Sequence, residues 1–285
     1  DAVPPYLFAE LERLMESKRR QGIEVISLAI GDPDLPTPPP IVEAAAEALR
    51  NPATHQYPSN HGTEEVREAA ASFYRDRFGV ELDPASEVVP ALGGKEAVGH
   101  IAMACLDPGE VALSPEPGYP PYTSGPVFSG ADVHYLPLTP ESDFFPDLDA
   151  ISPDVVERAN LLYLNYPNNP TGAVVPSGAF ERAVEFARAN DLILVHDNAY
   201  SEVCFDGYEA PSFLETPGAK YVGVEIFSLS KGWNMTGWRC AFVAGNAEAL
   251  GLAMARVLGD DELRARLGKG ALDRAAQLSW TAAAT

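Results

Sequence analysis

Near the start of the chain, apolar positions recur at helical spacing. Leu7, Phe8, Leu11, Leu14 and Met15 share one face, and Gly22 ends the pattern before the apolar run "EVISLAI", which predicts a strand. The proline-rich "GDPDLPTPPP" then predicts an irregular loop, and a helix is predicted from about Ile41 to Arg50. After the loop "HQYPSNHG", Val66, Ala69, Ala70 and Phe73 mark one face of a further helix that stops at Gly79. From about residue 85 to 246, short apolar runs alternate with helical stretches: "EVVPAL", "EVALSP", "ADVHYLPL", "NLLYLNYP", "DLILVHD", "EIFSLS" and "RCAFVAG". Strands alternating with helices predict a mostly parallel sheet covered on both faces, an α/β protein with three α/β/α layers. The clearest crossover helix is predicted over residues 178 to 190, where Phe180, Ala183, Val184 and Ala187 form an i, i+3, i+4, i+7 stripe.

With 285 residues, 46% of them hydrophobic, the chain can bury a large core, in one big domain or one big and one small. No apolar run approaches the roughly 20 residues that span a bilayer, so no membrane partner is expected. The segment "DAVPPYLFAELERLMESKRR" lacks the basic-then-apolar order of a secretory signal, and the cytoplasm is the expected compartment. Cys105, Cys204 and Cys240 are widely spaced, which argues for reduced thiols rather than a disulfide framework or a metal site. The formal charge of −21 repels phosphate backbones and makes nucleic acid an unfavourable partner. An anionic small molecule would need cations concentrated locally, so the few lysines and arginines inside motifs carry more weight than usual.

In sheets of this kind, ligands sit beyond the carboxyl ends of the strands. In "VPALGGKEAVGHIAMACL" a glycine turn offers the N–H groups of Gly93, Gly94 and Lys95 to a phosphate, although such turns are commonly only tight connections. In "NYPNNPTG", Asn169 before Pro170 presents an amide donor, or forms an ordinary polar turn. Asp197 ends the apolar "LILVHDNAY", with Tyr200 three residues on. A carboxylate there needs a cationic or hydrogen-bonded partner, or else caps the next helix. Lys231 in "SLSKGWNMTGWR" is a carbonyl-reactive amine where it is partly buried and a plain surface lysine otherwise, and Arg239 suits a phosphate dianion. A Schiff-base lysine, a carboxylate for a pyridine nitrogen, a Tyr–Asn pair for a phenolic oxygen and a phosphate cup together describe pyridoxal 5′-phosphate.

On "NYPNNPTG", "HDNAYSEV" and "SLSKGWNMTGWR", residues from about 4 to 246 resemble the class I and II aminotransferases, with LL-diaminopimelate aminotransferase-like members nearest. The resemblance implies an aminotransferase that moves an amino group between an α-amino acid and a 2-oxo acid, with glutamate and 2-oxoglutarate as one pair. Lys231 would hold the cofactor as a Schiff base and shuttle the proton. Asp197 would pair with the ring N–H. Tyr200 and Asn169 would hydrogen-bond the phenolic oxygen, with Asn169 also near substrate. Gly94, Lys95, Ser228 and Arg239 would receive the phosphate, and Tyr119 in "PEPGYP" would stack on the ring. Tyr57 would reach the phosphate of a partner subunit, making the unit a homodimer, and the loop at Gly31 would lie over the substrate. No metal is implied.

The resemblance implies three regions: residues 1–40 as an N-terminal arm and substrate-covering loop, 41–246 as the large cofactor-binding domain, and 247–285 as an atypical helical tail. The family continues with a smaller second domain. Here the expectation is that this domain is truncated or replaced by the tail, which resembles the carboxyl-terminal helices of glycosyltransferases. No residue matches the arginine that grips the substrate carboxylate. A β-eliminating lyase, or a cofactor-binding truncated form with little turnover, stays open as an alternative.

Overall fold

The computed structural model describes residues 7–28, 31–59 and 61–246. In chain order the helices and strands are α1 (Leu7–Arg20), α2 (Pro39–Arg50), α3 (Glu64–Phe78), β1 (Val88–Ala91), α4 (Gly94–Cys105), β2 (Val111–Glu116), α5 (Pro121–Ser129) and β3 (Asp132–Pro137). They continue as α6 (Pro153–Arg158), β4 (Ala159–Leu164), α7 (Ala179–Ala189), β5 (Ile193–Asn198), α8 (Ala219–Val222), β6 (Gly223–Ser228), α9 (Leu229–Gly232) and β7 (Ala241–Gly245). The tail expected from 247 to 285 lies outside the described residues. Among the described residues, no helix is long and apolar enough to cross a membrane.

Each of the seven apolar runs between residues 85 and 246 forms a strand. They build one sheet in the order β1-β7-β6-β5-β4-β2-β3. The pairs from β6 across to β3 are parallel, while β7 runs antiparallel to both β6 and β1. Side chains alternate across the strands and feed two separate cores. Leu194, Phe227, Phe180 and Tyr74 belong to the core on one face, and Val195, Ile226, Tyr122 and Tyr163 to the core on the other. Helices α3 and α7 cover the first face, α4 and α5 the second, giving the three layers expected. Phe180, Ala183, Val184 and Ala187 of α7 are all buried, as their stripe predicts.

Two expectations need correction. "EVISLAI" does not form a strand in its described residues, 24–28, where Ile26 and Leu28 are 86% and 95% exposed. Among the described residues, 24–28 pair with no strand, and a single extended run has no stability by itself. In α3 the buried positions are Ala70, Ala71, Tyr74 and Phe78, whereas Val66 is exposed. The stripe is rotated from the expected one because Tyr74 is drawn inward by a buried carboxylate, Glu225 of β6, to which its hydroxyl donates at 2.6 Å. The ends of α3 follow the sequence: Glu64 and Glu65 open the first turn, and Gly79 caps it at φ 66°, a left-handed conformation that glycine adopts without strain.

The sheet also fixes where a ligand can enter. From β2 the chain steps outward to β3, then returns to the other side of β2 as β4, so the connections leaving β2 and β4 diverge and open a crevice at their carboxyl ends.

Phe227 of β6 tests the packing of the first core. It is 1% exposed, stacks on Phe242 with centroids 5.3 Å apart, and meets Phe73 at 4.9 Å. Phe227→Ala should lower the unfolding free energy by about 3–5 kcal/mol in denaturant titrations, and a loss below about 1 kcal/mol would contradict this packing.

Candidate active site

A cleft of about 550 Å³ opens at the carboxyl ends of the parallel strands. The turn into α4 supplies Gly94 and Lys95, and the turn into α5 supplies Tyr119 and Tyr122. The loop after β4 supplies Asn165, Asn168 and Asn169, the end of β5 supplies Asp197 and Tyr200, and the segment after β6 supplies Ser228, Lys231 and Arg239. Gly31 and Asp32 close one side. Every site residue expected from sequence therefore lines one cleft except Tyr57, which is fully exposed in the segment after the turn Pro52–His55.

Lys231 lies in the one-turn helix α9, capped by Ser228, whose Oγ accepts from the Ser230 N–H. Its Nζ donates to the Gly31 carbonyl at 2.7 Å and sits 3.8 Å from Asp32 Oδ1. The loop over the lysine is pinned farther along: Thr37 Oγ1 donates to the Asn234 carbonyl at 2.7 Å and accepts from Trp238 Nε1 at 2.9 Å.

Asp197 is 6% exposed at the end of β5. Its Oδ2 accepts from the Tyr122 hydroxyl at 2.8 Å, and its backbone carbonyl accepts from Asn165 Nδ2 at 2.8 Å. Burial pushes the carboxyl up to about 6, against the Tyr122 hydrogen bond and the neighbouring His196, which both pull it down. Burial first, then the Asp197 charge, also raises the Tyr200 phenol, while a hydrogen bond with Asn169 opposes the rise and places those two side chains together. Asn169 is held by its backbone N–H, which donates to Asn165 Oδ1 at 2.7 Å, and its bond to Pro170 is cis.

At the mouth of α4, Gly93 adopts φ 93°, and a side chain there would collide with the Arg239 guanidinium. Arg239 itself sits in the left-handed region at φ 57° and donates from Nη1 to the Thr236 carbonyl at 2.8 Å. Gly94 faces Ser228, whose Cβ would lie 3.6 Å from a Cβ at 94. Helix-start backbone, a hydroxyl and a guanidinium thus converge on one small cup.

Sequence reasoning missed Tyr122, Asn165 and Asn168. Their asparagine and tyrosine types are commonplace in loops. Only their place in the cleft, and for Tyr122 its position three residues after Tyr119 at a helix start, distinguishes them.

Residues 23–271 match the model of the family described as aminotransferase class I and II. The LL-diaminopimelate aminotransferase of Desulforudis audaxviator is 53% identical over 252 residues, which cover 87% of this chain and 64% of that protein. The enzyme of the same name from Moorella thermoacetica is 48% identical, over 90% of this chain and 65% of its own. The structure of substrate-bound BacF from Bacillus subtilis superposes with a TM-score of 0.84 at 41% identity, covering 88% of this chain and 63% of that one. A probable N-succinyldiaminopimelate aminotransferase from Thermus thermophilus gives 0.82 at 40%, covering 89% and 68%. The chain belongs to the class I and II aminotransferase family, and it spans just under two thirds of the length of the curated relatives named here.

The cofactor of that family is pyridoxal 5′-phosphate, and the residues fit it. Gly93 leaves room beside the helix start for the Arg239 guanidinium, where a Cβ would collide with it, and a buried carboxylate with a single side-chain donor among the described residues lines the same cleft as the Lys231 amine.

The Asp197 carboxyl makes a prediction for the ligand-free protein. Its ordinary value is 3.8 and its folded value about 6, so between these the folded chain holds a proton that the unfolded chain has released. Stability from this group is present at low pH and lost as pH rises through that window, a penalty on the order of 3 kcal/mol at neutral pH. Asp197→Asn should therefore be more stable than the parent in ligand-free denaturant titrations at about pH 7.5, with the gap closing near pH 4. A parent more stable than the variant at neutral pH would contradict the buried charge.

Proposed function

We propose that this protein, as a soluble cytoplasmic homodimer, transfers amino groups between an α-amino acid and a 2-oxo acid with pyridoxal 5′-phosphate held in the cleft. The observation that carries the reading is the convergence of Lys231, Asp197 and the Gly93–Arg239 cup on one cleft. When bound, the cofactor supplies an electron sink that makes the substrate Cα–H acidic.

The chain's own residues do the rest. The N–H groups of Gly94 and Lys95, the Ser228 hydroxyl and the Arg239 guanidinium take the phosphate, because they offer directed donors and a fixed positive charge. Asp197, ionised at neutral pH and dry, accepts a hydrogen bond from a protonated ring nitrogen more strongly than a solvated carboxylate would. Tyr200 and Asn169, already paired, turn donors toward the phenolic oxygen. Tyr119 offers its ring for stacking. Lys231 Nζ provides the amine that anchors the cofactor and afterwards moves the proton at the substrate Cα. Gly31 and its loop cover the substrate, and their hydrogen bond to Lys231 keeps that amine at the cleft mouth. Tyr57, standing free in solvent, completes the phosphate site of a second subunit.

For the substrate, the names of the relatives favour a diaminopimelate-type diamino dicarboxylic acid, with glutamate and 2-oxoglutarate as the second pair. Borohydride reduction of the cofactor-loaded protein should fix a pyridoxyl group on the peptide carrying Lys231. Lys231→Ala should abolish that label and lower the rate of amino transfer by at least about 1,000-fold. A label on Lys95, or none, would overturn the assignment.

A further inference from the structure

Tyr122 has no part in the roles assigned above, yet it is held firmly within the site. It is 1% exposed in the first turn of α5, which Pro120 and Pro121 stiffen. Its ring lies against Tyr163 with centroids 4.9 Å apart and planes at 23°, and Tyr163 is itself tied by its hydroxyl to the Val98 carbonyl at 3.1 Å. Its backbone carbonyl accepts from Ser114 Oγ at 2.8 Å. Ring and backbone are thus both fixed, and the hydroxyl is aimed at Asp197 Oδ2, 2.8 Å away.

Burial and the Asp197 charge push the Tyr122 phenol well above its ordinary range, so it is a hydrogen-bond donor at every physiological pH. A donor whose own proton cannot leave favours the ionised carboxylate. It also occupies one carboxylate oxygen, so Oδ1 is the oxygen left for a donor from the cleft. The other titratable groups interacting with Asp197 are Tyr163 from β4, Tyr200 beyond β5 and the adjacent His196, while Lys231 and Arg239 from the segment after β6 line the same cleft. Tyr163 spends its hydroxyl on Val98, Tyr200 stands with Asn169, and the His196 Nδ1 is 2.7 Å from Glu225 on the opposite face. Tyr122 is therefore the one side chain among the described residues that donates to the Asp197 carboxylate.

The geometry points to Tyr122 as a positioning residue for the proposed reaction: its hydroxyl holds Asp197 ionised, with Oδ1 toward the cleft, so that a proton shared with a heterocyclic nitrogen stays on the nitrogen. The inference rests on the proposed cofactor reading. If the hydroxyl is removed, the Asp197 carboxylate gains proton affinity and would hold a shared proton less firmly on a ring nitrogen, whose charge is what would make the bound cofactor an electron sink.

The test uses Tyr122→Phe, which keeps the ring stacked on Tyr163, and Ser114→Ala, which loosens the Tyr122 backbone without touching the hydroxyl. In ligand-free protein, infrared titration of the Asp197 carboxyl, identified by its loss in Asp197→Asn, should show a midpoint raised by about one pH unit in Tyr122→Phe, a tenfold change in proton affinity. Ser114→Ala should leave it in place. With ¹⁵N-labelled pyridoxal phosphate bound, the ring nitrogen should give a protonated signal in the parent and move toward the unprotonated signal in Tyr122→Phe alone. An unmoved Asp197 midpoint in Tyr122→Phe, or equal shifts in both variants, would overturn the inference. A parent that leaves the labelled cofactor unbound would overturn the reading of the cleft, and this inference with it.

Discussion

Five hydrogen bonds converge on Glu225, a fully buried carboxylate in the middle of β6. Tyr74 of α3, Ser212 and the Phe213 N–H of the turn before α8, and His196 and Asn198 of β5 all reach it, at 2.6 to 3.0 Å. Burial alone would raise its pKa, but the His196 hydrogen bond and charge, with Tyr74 and Asn198, hold it below the ordinary carboxylate range. A carboxylate this dry is tolerated only when its lone pairs are filled, so the elements that fill them have little freedom to move apart. The register of β5 against β6, and hence the placement of Asp197 beside the Ser228–Lys231 segment, rests on this knot on the far side of the sheet. His196 extends it toward β4, since its Nε2 lies 3.1 Å from the Tyr166 carbonyl at the start of the loop that carries Asn169.

Asp197 is the counterpart on the opposite face, one residue from His196 on the same strand. Both acids are buried by the same sheet, but where Glu225 has five donors, the Asp197 carboxylate has only Tyr122 among the described residues. The difference appears in their proton affinities, one lowered and the other pushed up to about 6. A saturated buried acid is structural, whereas an unsaturated one keeps electrostatic demand in reserve for a ligand. The fold bears that demand because the Glu225 knot and the two aromatic cores secure the strand beneath it, a division between stability and function common to binding sites.

The seven strands between residues 85 and 246 were legible because both faces of this sheet are covered, so each strand reads as a short, nearly continuous apolar run bounded by turn residues. That Lys231, Asp197, Tyr200, Asn169, Gly94 and Arg239 would come together was legible because strand-end positions are set by the same runs. What the sequence hid depends on contacts between distant segments. Residues 24–28 of "EVISLAI" have the composition of a strand but pair with no strand among the described residues, and composition does not record the neighbour. The inward face of α3 is set by Tyr74 reaching Glu225, 151 residues away. Glu225 itself reads as a lone acid in an apolar run, and His196 and Tyr122 as ordinary loop or core residues, until the sheet brings their partners to them.

The cup at the start of α4 shows how such distant pairing turns a weak motif into a specific one. Two glycines before a helix are by themselves only a tight turn. Here Gly93 combines φ 93° with an approach so close that a methyl group would displace the Arg239 guanidinium, which comes from a segment more than a hundred residues later. Arg239 in turn holds a left-handed backbone conformation that is costly for a residue with a side chain, and its Nη1 bond to the Thr236 carbonyl helps fix it there. The strained arginine and the side-chain-free turn are therefore a single device: the guanidinium lies against the turn at the start of α4 only because position 93 has no side chain. Under the proposed cofactor reading, an anion entering the cup would meet the Arg239 charge already in place, so little of its binding free energy would be spent on ordering that side chain.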